Sequence, residues 1–254
     1  MSAAADPSPD SLAFVPLEAN PELMTHLLHE LGLSPSLAVH DVYSLTEPEL
    51  LGFIPRPAHA LLLVFPVSAA YEAHRLAEDA TITTTTTSRD KQEAEEEQEQ
   101  PVIWFRQTIR NACGLIGLLH AAANGEARRA VQPGTALDRL IGAAARVGPD
   151  ERARLLERDP ALAAAHQSAA ERGDTAAPRA TDDVDLHYVC FVKGRDGALW
   201  ELDGRRKGPL RRGDLDPSED VLSEKALALG PLKFLEREAA DLRFSCVALA
   251  GSLD

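Results

Sequence analysis

A chain of 254 residues with 44% hydrophobic composition has enough apolar side chains for one sizeable core in one or two domains, which excludes disorder throughout. Its 40 acidic residues against 26 basic ones leave a formal charge of −14, which excludes a surface built to neutralise duplex phosphates and suits a basic partner. No apolar stretch approaches the roughly 18 residues of a membrane span, and Met1–Ser11 lacks the basic and apolar regions of a signal peptide, so a soluble intracellular chain is expected.

Residues 1–12 are small, polar and Pro-bearing and read as a disordered tail. Asn20-Pro21-Glu22 is an N-cap followed by proline at the first helical position. It opens a helix with Leu23, Leu27, Leu28 and Leu31 on one face and Gly32 at its end. Residues 58–67, with Leu61 to Phe65 uninterrupted, are too short and too uniformly apolar for a surface element and read as a central strand covered on both faces. Residues 81–100 join a threonine run to six acids and two bases. That composition cannot offset its ordering entropy, so it reads as an exposed insertion within one domain.

Apolar spacing near 3.6 predicts helices at about 105–123, 135–146, 150–158 and 218–239. Between them, residues 160–184 are rich in alanine and carry Pro160, Gly173 and Pro178, the composition of a long functional or disordered loop. His187 to Lys193, the turn Gly194-Arg195-Asp196-Gly197 and Ala198 to Asp203 form a hairpin. The basic cluster Arg205, Arg206, Lys207, Arg211 and Arg212 reads as a solvated loop in an otherwise acidic chain. Leu242 to Leu249 supplies a further strand, which makes the fold class α/β in the broad sense, with α+β character.

Three cysteines, Cys113, Cys190 and Cys246, form no CxxC pair and read as free thiols. Cys113 falls near the N-terminal end of an apolar helix, where unpaired N–H groups and the helix dipole stabilise a thiolate, although a single helix cysteine is more often a small core residue. A thiolate nucleophile needs a base, and the base needs an orienting group. With the hairpin turn centred between Arg195 and Asp196, His187 and Asp203 stand directly opposite each other on one face, with Cβ atoms about 5 Å apart. A carboxylate there selects one imidazole tautomer and stabilises the protonated ring. Gln107, six residues before Cys113, is a candidate oxyanion donor beside the Cys113 N–H, a weak signal on spacing alone. The other seven histidines, His26 and His29 among them, have no matching carboxylate or cysteine arrangement and read as surface or packing residues, so no metal is expected. Cys190 lies on the opposite hairpin face from His187 and reads as structural, as does Cys246.

Three segments together resemble one known family. They are Gln107-Thr108-Ile109-x-Asn111-Ala112-Cys113-Gly114-x-Ile116-Gly117-Leu118, Asp185-Leu186-His187-Tyr188, and Leu199-Trp200-Glu201-Leu202-Asp203-Gly204-Arg205. Phe14 to Glu22, Asp41-Val42-Tyr43 to Pro55-Arg56-Pro57, Leu61 to Pro66, and Pro149 to Arg154 extend the likeness over about residues 13–250. The pattern is similar to that of the ubiquitin carboxyl-terminal hydrolases.

The resemblance implies a papain-like fold with a central, mainly antiparallel sheet flanked by helices and a knotted backbone. It implies Cys113 as nucleophile, His187 as general base and acid, Asp203 as orienting carboxylate and Gln107 as oxyanion donor, with no cofactor. Pro16, Leu17, Glu18 and Asp41 correspond to positions that contact ubiquitin or its basic tail. The implied reaction is hydrolysis of small adducts or short peptides from the C-terminal glycine of ubiquitin, with residues 160–184 as a crossover loop over the site. The expected protein is a monomeric, short-form single catalytic domain over 13–254, with ubiquitin or a ubiquitin-like relative as partner and neither nucleic acid nor membrane. Its expected place is the cytoplasm, with the nucleus open to it. Two other readings remain: a ubiquitin-stabilising protein with little turnover, and an unrelated papain-like protease of open peptides. The complete catalytic set speaks against the first, and the extent of the likeness against the second. Phe14 where tryptophan is more usual, Gly173-Asp174-Thr175 in the loop and the insertion are departures that bear on substrate preference.

Overall fold

The computed structural model of the chain describes residues 12–81, 100–173, 180, 182, 184–237 and 243–253. The expected tail, most of the 81–100 insertion and the middle of 160–184 therefore lie outside the described residues. Six strands, β1 (Leu37–Asp41), β2 (Ala60–Pro66), β3 (Leu186–Lys193), β4 (Ala198–Leu202), β5 (Leu210–Asp214) and β6 (Ser245–Gly251), form one sheet in the order β1-β6-β2-β3-β4-β5. Every neighbouring pair is antiparallel.

β2 is interior and buried along its whole length, as its apolar run predicts. Its side chains alternate between two cores. Ala60, Leu62 and Val64 pack with the helices α1 (Pro21–Leu31), α4 (Cys113–Ala123) and α5 (Ala136–Ala144). Leu61, Leu63 and Phe65 pack on the other face with Tyr71 of α3 (Ala69–Thr81), with α8 (Glu224–Leu229) and with Phe234 of α9 (Pro231–Arg237). Each fully buried leucine or phenylalanine here contributes about 1.5–3 kcal/mol of transfer free energy.

The first helix forms as its signals predict. The Asn20 side chain accepts from the N–H groups of Glu22 and Leu23 at 3.0 and 3.3 Å, and Gly32 closes the helix at φ +114. Its buried face is Met24, Leu27, Leu28 and Leu31, so Met24 takes the place expected for Leu23.

Other expectations need correction. The helix expected over 105–123 is only α4, because residues 105–112 bond elsewhere: Gln107 N–H to Gly204, Arg110 N–H to Leu12, and the Phe105 N–H to His120 Nε2. The loop expected over 160–184 begins instead with a helix, α7 (Pro160–Ala170), capped by Asp159 with proline at its first position, after α6 (Pro149–Glu157). The helix expected over 218–239 is broken at Gly230-Pro231 into α8 and α9, with Ser223 capping the first. Helix α3 escaped the sequence reading. So did the short α2 (Pro48–Leu51), β1 and β5.

The basic cluster is a solvated loop only in part: Arg205, Lys207 and Arg211 are exposed, whereas Arg206 and Arg212 turn inward. The Arg206 side chain is fully buried and pairs with Glu201, Glu78 and Asp79, Arg212 bridges Glu78 and Glu201, and Arg205 meets Glu72. Glu78 and Asp79 of α3, distant in sequence, and Glu201 of β4, five residues before Arg206, draw the Arg206 and Arg212 side chains inward.

Candidate active site

The hairpin forms as predicted, but in a different register. Cys190 pairs with Leu202 and Lys193 with Leu199, which extrapolates to His187 opposite Arg205 rather than Asp203. The cause is the turn. Arg195–Gly197 is a three-residue loop closed by Gly197 in the left-handed region at φ +76, and the Gly194 N–H bonds the Ala198 carbonyl at 2.8 Å. The two-residue displacement preserves the side-chain face, so His187 and Asp203 remain on the same side of the sheet. They meet beyond the last paired position, with His187 Nε2 2.7 Å from Asp203 Oδ1.

Asp203 is fully buried and held from several sides. Its Oδ1 also accepts the Arg205 N–H at 2.8 Å, its Oδ2 accepts the Tyr71 hydroxyl at 2.5 Å, and its carbonyl accepts Trp104 Nε1 at 2.9 Å. Burial alone would raise its pKa, but the His187 charge and these hydrogen bonds outweigh it and hold the carboxyl well below the usual range. Burial likewise lowers His187, yet the Asp203 charge and hydrogen bond, with those of Cys113, raise it to about 9. Because Nε2 faces Asp203, Nδ1 is the ring nitrogen left for the Cys113 sulfur.

Cys113 is the first residue of α4 and is partly exposed, with the unpaired N–H groups of the first helical turn around it. Asn111, two residues earlier, adopts φ +58, and its side chain donates to the carbonyls of Ala180 and Asp182 at 2.9 and 3.2 Å. Desolvation pushes the buried Cys190 well up and the half-buried Cys246 up to about 12, in keeping with structural roles.

Gln107 packs against the turn that follows Asp203. A Cβ on Gly204 would stand 2.9 Å from Gln107 Cβ and 3.2 Å from Ile116 Cγ2, so only glycine lets Gln107 lie this close to the first turn of α4. Its Nε2 donates to the Ile109 carbonyl at 3.3 Å and retains a second hydrogen, while its buried Oε1 has no protein partner.

Cys113 opens into a cleft of about 460 Å³ lined by Pro16, Leu17, Glu18, Asn111, Tyr188 and Phe244, among others. The Tyr188 hydroxyl donates to the Leu17 carbonyl at 2.9 Å and fixes the wall that carries Pro16 to Glu18. Phe14, at the start of that segment, stacks on His166 at 4.8 Å, and His166 Nε2 lies 2.8 Å from the Val15 carbonyl. Asp41 does not line the cleft. It is exposed at the end of β1, opposite Val247 and two positions along β6 from the cleft residue Ser245. Among the described residues, no cluster of three or more His, Cys, Asp or Glu could hold a metal ion.

Sequence reasoning missed Tyr71 and Trp104, the two side chains that grip Asp203 besides His187. Nothing near Tyr71 in sequence announces the contact. Trp104 precedes the expected helix by one residue, and only its indole N–H, which needs a partner when buried, hinted at a role.

A nucleophile, a base, an orienting acid and an amide donor on this scaffold fit thiol-dependent acyl transfer. The family described as ubiquitin carboxyl-terminal hydrolase, family 1, matches residues 14–229. The chain is 35% identical to ubiquitin carboxyl-terminal hydrolase 3 of Arabidopsis thaliana, over 98% of each chain. It is 37% identical to ubiquitin carboxyl-terminal hydrolase isozyme L1 of Rattus norvegicus, over 92% of this chain and 96% of that one. Among solved structures it is similar to the Trichinella spiralis UCH37 catalytic domain bound to ubiquitin vinyl methyl ester, with a TM-score of 0.68, 21% identity, and coverage of 94% of this chain and 95% of that one. A second UCH37 structure of the same organism and ligand aligns with a TM-score of 0.66, 21% identity, and coverage of 94% and 82%.

Proposed function

The chain belongs to ubiquitin carboxyl-terminal hydrolase family 1 and is a cysteine hydrolase acting on ubiquitin, and from that premise we propose that it releases small adducts or short peptides from the C-terminal glycine of ubiquitin. One observation carries the assignment of roles: His187 touches Asp203 through Nε2 at 2.7 Å, while Cys113 acts on the same ring and helps to raise its pKa.

In this reading the Cys113 thiolate attacks the glycine carbonyl carbon. The developing oxyanion accepts from Gln107 Nε2 and from the Cys113 backbone N–H. The C–N or C–S bond to the leaving group breaks as His187 donates its proton, leaving a thioester on Cys113. Neutral His187 then takes a proton from water, the hydroxide displaces the thiolate, and free ubiquitin departs. Asp203 keeps the imidazole in the tautomer protonated at Nε2 and stabilises the imidazolium. The wall of Pro16, Leu17 and Glu18 receives the ubiquitin tail, and Asp41, one step outside the cleft, meets a basic residue of the ubiquitin body or tail. The enzyme acts as a monomer, and its three free thiols support a reducing compartment, the cytoplasm or nucleus.

Incubation with ubiquitin vinyl methyl ester tests the assignment. A covalent adduct mapping to Cys113 and absent from Cys113→Ala is expected. No adduct, or an adduct retained in Cys113→Ala, overturns it. A burst of leaving group from a ubiquitin C-terminal amide separates the hydrolase from a ubiquitin-stabilising protein without turnover.

A further inference from the structure

Tyr71 has no part in the catalytic set read from the sequence, yet its hydroxyl reaches the one carboxylate oxygen of Asp203 that His187 leaves free. The residue is buried to 1% exposure and its position is fixed three times over. Its backbone N–H donates to Ser68 Oγ at 2.9 Å at the start of α3, and its ring packs edge-on against Phe65 at 4.8 Å and beside Phe234 at 6.1 Å. One helical turn on, Arg75 binds Glu72 and donates to the Arg205 carbonyl at 3.1 Å, which joins α3 to the turn after Asp203.

Two donors on Oδ1 and one on Oδ2 define the plane of the buried carboxylate. Without the third, Oδ2 is an unsatisfied charged oxygen, and the carboxylate rotates to relieve it. A tyrosine serving only to fill the space between Phe65 and Phe234 has no need of its hydroxyl, which phenylalanine lacks at no loss of ring packing.

We propose that Tyr71 is a positioning residue for the hydrolase, locking Asp203 so that His187 is held against Cys113, and that α3 belongs to the catalytic apparatus through it. The inference rests on the hydrolase reading above.

The test compares wild type, Tyr71→Phe, Asp203→Asn and the double variant by two readouts. The first is steady-state hydrolysis of a fluorogenic ubiquitin C-terminal amide. The second is alkylation of Cys113 by iodoacetamide at pH 6, followed by mass spectrometry, which needs no ubiquitin. Tyr71→Phe is expected to lower kcat about tenfold with KM within about twofold, to slow alkylation, and to have no further effect in the Asp203→Asn background. Leu140→Ala, a core truncation on α5, which carries none of the site residues, is expected to lower Tm and leave kcat unchanged. Wild-type kcat and alkylation in Tyr71→Phe, or the same loss in both backgrounds, overturns the proposal. A wild type that alkylates normally but turns over no ubiquitin substrate overturns the hydrolase reading instead, and the alkylation arm still decides the role of Tyr71. If Tyr71→Phe does not fold, 3-fluorotyrosine at position 71 gives a second readout: its fluorine resonance shifts in Asp203→Asn, and an unshifted resonance overturns the contact's role.

Discussion

His187 and Asp203 share a hydrogen bond of 2.7 Å although the strands that carry them never pair at those positions. The β3–β4 ladder ends at Cys190 and Leu202, and the acid and base meet where the strands have parted. That gap leaves Asp203 open to Tyr71 and Trp104 as well: Tyr71 and His187 hold its carboxylate, and Trp104 holds its backbone carbonyl.

The first prediction concerns the alkaline limb of activity. Burial lowers the His187 pKa, but Asp203 raises it further, to about 9. The ring is therefore protonated and able to protonate a leaving group up to that pH. The kcat/KM profile is expected to fall above about pH 9, and Asp203→Asn to move that fall towards the unperturbed histidine value of about 6.5. An alkaline limb unmoved in Asp203→Asn would contradict the assignment.

Folding stability should follow the same pair with two opposite signs. A raised His187 pKa contributes stability in full below the unfolded value of about 6.5, and the contribution fades as pH rises through about 9. A depressed Asp203 pKa contributes in full above about 3.9 and fades as pH falls through the folded value. The difference in Tm between wild type and Asp203→Asn is thus expected to be largest between about pH 4 and 6.5 and to shrink on both sides. Thermal scans across that range check it.

Gln107→Ala removes the side-chain oxyanion donor without touching the thiol–imidazole pair. A loss of about 10²–10³ in kcat is expected, with KM little changed and Cys113 alkylation at the wild-type rate. Slower alkylation would assign Gln107 to positioning the thiol instead.

Tyr188→Phe deletes the bond of 2.9 Å that holds the Leu17 carbonyl and leaves the ring in place. With the Pro16–Glu18 wall loosened, KM for the ubiquitin substrate is expected to rise about fivefold and kcat to change little. A change confined to kcat in steady-state kinetics would count against the cleft as the tail's seat.

Arg206→Met strips a fully buried guanidinium from Glu201, Glu78 and Asp79. Leaving those carboxylates partly uncompensated is expected to cost about 3–5 kcal/mol, read as a lower urea midpoint. An unchanged midpoint would mean that Arg212 alone suffices for Glu201 and Glu78.

Much of the site was legible because its members carry local signals. The start of an apolar run places Cys113 at a helix N-terminus, which marks it as a site residue only beside the family motifs, and the turn marks the hairpin, its glycine also explaining the two-residue error in register. Helix α7 was hidden by its alanine content, which suits a helix or an unstructured loop until Asp159 and Pro160 are seen to cap it. Tyr71 was illegible because its meaning lies 132 residues away, on the oxygen of Asp203. Arg206 and Arg212 misled in part for the same reason, since Glu78 on α3 joins the nearby Glu201 in pairing them.

By itself the sequence determined the central strand, the first helix with its cap and the hairpin, because each follows from periodicity, capping or turn chemistry within a few residues, and it joined Cys113, His187, Asp203 and Gln107 into one set only through the resemblance of three separate motifs to one family. Only the tertiary structure decided what holds Asp203, where Arg206 and Arg212 spend their charges, and that Asp41 stands outside the cleft lined by Glu18. Those are contacts between distant segments, and burial makes them binding: an acid or a guanidinium taken out of water must find its partner wherever the fold presents one.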